Sequence, residues 1–94
     1  MRDNELAEMD ALIFAVVNEG KKQVAKWGVQ DRSSFEWMTY LTEEVGELAE
    51  AISEYEYRGA AAARIWDEAI QVATLALKIA EMSAFIPWGK EPTP

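Results

Sequence analysis

Glu43, Glu44 and Glu47 put three carboxylates into five residues of the stretch Leu41-Thr42-Glu43-Glu44-Val45-Gly46-Glu47-Leu48. The rest of that stretch reads as a core-facing helix. Residues three apart lie on neighbouring turns of one helix face, so Glu44 and Glu47 project together and could hold one hard cation. A second acid, Glu68, falls within an apolar segment beside Val72, Leu75 and Ile79. A lone carboxylate there is expensive unless it is paired or binds a cation. Gln71 follows it at the same three-residue spacing. Two helices thus each offer a pair of oxygen ligands, the pattern by which bundles hold metals between facing helices. Oxygen-only ligands suit Mg²⁺ or Mn²⁺ better than zinc. The competing structural reading is a solvated Glu-x-x-Glu face, with Glu68 neutralised by a buried partner such as Lys26 or Arg64.

The composition narrows the chemistry further. The 94 residues make a single domain over residues 1–86, with residues 87–94, which contain Pro87, Gly89, Pro92 and Pro94, expected as a loose tail. There is no histidine and no cysteine. That removes the usual general base, the usual zinc ligands and any disulfide. Catalysis would have to rest on carboxylates, Lys, Arg, Tyr or a metal-activated water. The net charge of −8 argues against nucleic acid or an anionic membrane as partner, though metals could still bridge the protein to a phosphate substrate. Met1-Arg2-Asp3-Asn4-Glu5 lacks the apolar core of a signal peptide, and no run approaches the roughly 18 apolar residues of a membrane span. The expectation is a cytoplasmic protein.

The elements that position these groups are three helices, making an all-α chain. Asn4 is a candidate cap for a first helix over about residues 5–26, with apolar residues at three- and four-residue spacing from Leu6 to Val24 and Gly28 as its stop. Ser33 and Glu36 fit a capping box for a second helix reaching about Tyr57. Its apolar stripe reads Leu41, Val45, Leu48, Ile52 and Tyr55, which places Glu44 roughly 60° and Glu47 roughly 120° from the stripe centre, along the border of the buried face. After Arg58-Gly59 the alanines from Ala60 open a third helix to about Ala84. It is apolar almost all round, with Asp67, Gln71, Thr74, Lys78 and Glu81 as a narrow polar strip. Three helices from one short chain cannot cover such a surface, so a partner chain is expected.

These residues resemble a known family, the MazG-type all-α nucleoside triphosphate pyrophosphohydrolases. More closely, Asn18-Glu19 through Lys26-Trp27-Gly28-x-Gln30, then Trp37 and Leu41 to Glu47, with Trp66-Asp67-Glu68-Ala69-Ile70-Gln71-Val72-Ala73, look like the small MazG-like proteins often carried by phages and mobile elements. The resemblance spans about residues 14–82. It implies a helical bundle of four-helix type completed by homodimerisation, or by a homotetramer. It also implies cleavage of a nucleoside triphosphate, with ribose or deoxyribose, to the monophosphate and pyrophosphate with Mg²⁺, for which Mn²⁺ could substitute. Carried over by position, Glu44, Glu47 and Glu68 match metal ligands. Glu43 matches an acid near the attacking water, as base or as further ligand. The family usually has an aspartate where this chain has Gln71, which offers a carbonyl oxygen without charge; Asp67 lies about 100° away and is a poor substitute. Lys22, Lys26 or Arg32 could stabilise developing charge, Trp27 could stack on the base and Gln30 could read its edge. A second reading is a weakly active or inactive helical oligomer that binds nucleotide or a protein partner; a third is a bundle whose acids only solubilise it.

Overall fold

In the computed structural model, residues 8–29 and 32–84 are described, and they form three α-helices: α1 (Met9–Trp27), α2 (Ser34–Arg58) and α3 (Ala63–Ala84). Asn4, Gln30 and the tail of residues 87–94 lie outside the described residues. No strand occurs among the described residues, and no helix there is long and apolar enough to cross a membrane.

The helix ends follow local chemistry. At α1, Gly28 takes φ 73° and its N–H bonds to the Val24 carbonyl at 2.7 Å. A side chain would strain that left-handed backbone, so glycine stops the helix. The Ser33 hydroxyl accepts from Glu36 N–H at 3.2 Å, and Ser33 N–H donates to the Glu36 carboxylate at 3.0 Å. The expected capping box is therefore present at the start of α2. At the other end Gly59 is left-handed, and Ala60 N–H caps the Glu54 carbonyl at 3.1 Å. That bond explains why α3 begins at Ala63 and not at the expected Ala60. The backbone of Ala60 serves the end of α2, so the first alanines build the connection.

α3 is the middle helix. Both α1 and α2 pack on it, while α1 and α2 make no comparable approach to each other among the described residues. Three cross-links fix α2 and α3 as an antiparallel hairpin: Trp37 lies near Lys78, Glu44 and Glu47 lie near Glu68, and Glu50 and Glu54 lie near Arg64. The buried seam runs through Trp37 and Ala51 of α2 and Leu75 of α3.

Two expectations about faces are corrected. Val45, read as the middle of the α2 stripe, is 47% exposed, whereas Ala51 is 2% exposed. Trp37 and Ala51 are buried, and Glu44, at seven-residue spacing between them, is half-buried. Within the narrow polar strip of α3, Asp67 and Glu81 are exposed but Thr74 is only 3% exposed, with its hydroxyl donating to the Ile70 carbonyl at 2.7 Å. Backbone bonding of this kind lets a threonine be buried without an orphaned hydroxyl. The face of α3 away from Glu68 carries Trp66 and Leu77, both substantially exposed.

Candidate functional site

Because Glu44 lies on the α2 seam and Glu68 opposes it on α3, three carboxylates converge. One oxygen each from Glu44, Glu47 and Glu68 falls within 4.8 Å of the others. Ala51 one side and Trp37 the other hold α2 against α3, and the small Ala51 side chain allows close approach. Glu44 Oε2 and Glu68 Oε2 are buried, and neither has a hydrogen-bond partner. An orphaned buried carboxylate oxygen costs more than an ordinary unmade hydrogen bond, because a full or partial charge loses its water.

The neutralising partners considered from sequence are engaged elsewhere. Arg64 pairs with Glu54 at 2.6 Å and lies 3.7 Å from Glu50. Lys26 places its ammonium 4.6 Å from the centre of the Trp27 ring. Without a cation the cluster responds by holding a proton. Burial, then the close approach of the Glu68 carboxyl and the charge of Glu47, push the Glu44 carboxyl up to about 7. A divalent cation would satisfy both orphaned oxygens and relieve the mutual repulsion, so the donor set fits a hard metal.

The cluster opens into a cavity of about 330 Å³. Glu43 and Glu44 line one side, and Gln71, Leu75 and Lys78 of α3 line another. Gln23 and Trp27 approach from α1, with Arg32, Trp37 and Tyr40 closing the aromatic end. The Trp37 and Tyr40 rings meet edge to face, 6.4 Å apart. The Arg32 guanidinium lies 4.7 Å from the Tyr40 ring centre and donates to its hydroxyl at 3.0 Å. Metal-binding carboxylates, aromatic faces and cations therefore share one hollow.

Sequence-nominated residues divide among three locations. Glu43, Glu44, Gln71 and Trp27 line this cavity, and Glu47 and Glu68 complete the carboxylate cluster beside it. Lys22 lines a separate hollow with Asn18, Glu19, Asp67 and Gln71. Gln30 lies outside the described residues. Gln71 has a particular environment: its carbonyl oxygen accepts from Gln23 Nε2 at 2.9 Å. The same Nε2 donates to Glu19 at 2.9 Å, and Lys78 donates to the Gln23 carbonyl oxygen. Lys78 can only donate, which fixes the orientation of the Gln23 amide and hence that of Gln71.

Gln23, Tyr40 and Lys78 are cavity residues that sequence reasoning did not nominate. One signal was available for Lys78: it follows Gln71 by seven residues and so shares its face of α3. Gln23 offered none, because a polar residue on an amphipathic helix ordinarily faces water. Comparison with protein-family models, with curated proteins and with solved structures gives no match to this chain.

Proposed function

We propose that the chain is a Mg²⁺-dependent, MazG-like nucleoside triphosphate pyrophosphohydrolase, acting in the cytoplasm as a homo-oligomer. The observation that carries this reading is the pair of orphaned, buried carboxylate oxygens on Glu44 and Glu68, beside Glu47 and at the mouth of an aromatic and cationic cavity. In the reaction, water attacks the α-phosphorus of a (d)NTP, the bond to the bridging oxygen of the β-phosphate breaks, and pyrophosphate leaves a (d)NMP.

Glu44, Glu47 and Glu68 would hold the metal. When bound, Mg²⁺ supplies neutralisation of the polyphosphate charge and acidification of water. The chain does the rest. Glu43, exposed on the cavity wall next to Glu44, accepts the proton of the attacking water. Trp27, Trp37 and Tyr40 offer ring faces on which a base can stack, a contact that tolerates several bases. Arg32 adds positive charge at that end. The exposed apolar side chains Ile13, Val17, Trp66 and Leu77 support a second copy against α1 and α3.

The engagement of Gln71 by Gln23 favours one alternative, a weakly active or inactive nucleotide-binding oligomer, because the Gln71 oxygen already has a donor. Pyrophosphate release from a panel of NTPs and dNTPs, first with Mg²⁺ and then with Mn²⁺, separates the two. The enzyme reading expects release that disappears with EDTA and in Glu44→Ala. Silence across the panel in a folded sample, with turnover restored by Gln71→Asp, would establish the binding module.

A further inference from the structure

Among the described residues, Lys78 is the only cation on the α3 wall of the cavity, and its surroundings suit an anion. Its side chain is partly buried, and its Nζ lies 5.8 Å from the centre of the Trp37 ring. The one hydrogen bond that fixes it goes to the Gln23 carbonyl oxygen, a neutral acceptor. An ammonium has three donors, so two remain for another acceptor. No carboxylate pairs with Lys78 among the described residues. Glu19 and Glu81 act on it only from a distance, and desolvation outweighs them, holding its pKa below the usual lysine value.

Glu44 of the carboxylate cluster and this ammonium both line the cavity. Lys78 follows Gln71 by two helical turns, and the Gln23 amide bridges their two side chains. Gln23 is buried and is itself tied to Glu19 and Gln71, so the ammonium is held in place before any ligand arrives.

We propose that Lys78 is the polyphosphate contact of this site, the group that binds substrate phosphate oxygens. The role that the sequence offers to Lys22, Lys26 or Arg32 is thereby taken by a residue of α3: Lys22 lines a different hollow, Lys26 lies over Trp27, and Arg32 lies over Tyr40 at the aromatic end. The inference rests on the pyrophosphohydrolase reading for the identity of the anion.

Titration of the full-length protein with inorganic pyrophosphate in Mg²⁺, followed by calorimetry, tests it, alongside a separate titration with Mn²⁺ alone. Lys78→Gln removes the charge while keeping a donor for Gln23, and Lys78→Arg keeps the charge. A lost charge-assisted hydrogen bond to phosphate predicts a Kd raised roughly 10- to 100-fold in Lys78→Gln, with substantial recovery in Lys78→Arg and Mn²⁺ affinity within about twofold of wild type. Where turnover exists, KM should rise by a similar factor. Equal pyrophosphate affinity in wild type and Lys78→Gln overturns the proposal, as does a wild type that binds no pyrophosphate. Parallel loss of Mn²⁺ and pyrophosphate binding would also overturn it, by reducing Lys78 to a packing role. Lys78-dependent pyrophosphate binding in a protein without turnover would sink the enzymatic reading and leave the anion subsite standing.

Discussion

Glu44 sets the pH behaviour expected of the site. Its carboxyl holds its proton up to about pH 7 in the fold, against 4.5 for an ordinary glutamate, because it is buried and faces Glu68 and Glu47. An unfolded chain releases that proton near the ordinary value. Between those two pH values the folded state binds more protons than the unfolded state, so stability falls as pH rises through that window. Below it the group contributes no penalty, and above it the penalty is constant. The thermal midpoint in EDTA is therefore expected to drop from about pH 5 to about pH 7.5. Glu44→Gln should flatten most of that drop and raise the midpoint at the alkaline end. Mg²⁺ added to wild type above neutrality should raise the midpoint by binding the ionised cluster, and Glu44→Gln should lose most of that gain. Melts followed by circular dichroism with and without Mg²⁺ check all three; a wild-type slope that survives the substitution would remove Glu44 as its cause.

At the scale of the element, the ends of the helices were legible because their causes are local. Ser33 and Glu36 satisfy each other across three residues, and the strained backbone at Gly28 and Gly59 needs only the glycine itself. Ser33→Ala removes the cap hydroxyl and should lower stability by about 1 kcal/mol, read as a reduced urea midpoint at unchanged slope. A midpoint unmoved by the change would mean that tertiary packing alone fixes the start of α2. The carboxylate convergence was legible too, from the Glu44–Glu47 spacing and from an acid among apolar neighbours at Glu68. The facing of α3 was not. Hydrophobic periodicity assigns polar residues to water, yet Thr74 and Lys78 turn inward because the Ile70 carbonyl and Gln23 of α1 receive them. Those partners lie in another helix or in the backbone, where side-chain pattern carries no signal. The same blindness hid Lys78 as a cavity residue.

At the scale of the whole molecule, the apolar residues outnumber the places to bury them. Half of the chain is hydrophobic, yet the described residues bury few large apolar side chains, and Leu77 is 57% exposed. The exposure is not scattered. Met9, Ile13 and Val17 from α1 join Trp66, Ala73 and Leu77 from α3 around one apolar groove. This groove lies on the side of α3 away from the carboxylate cluster, so a second copy could cover it and leave the cavity beside the cluster open. Fully burying one large aliphatic side chain contributes roughly 1.5–3 kcal/mol, and a two-fold contact counts each residue twice. Leu77→Lys should then weaken self-association on the order of 100-fold. Sedimentation equilibrium across a concentration series is expected to give twice or four times the 10.6 kDa chain mass for wild type, shifting toward the single chain for Leu77→Lys. Mg²⁺ affinity should change little in the variant, because Leu77 lines the groove of α1 and α3 and not the cavity beside the carboxylates. A wild type that stays at the single-chain mass at the highest concentrations would reject the second copy. The groove would then be an open apolar surface on a folded monomer.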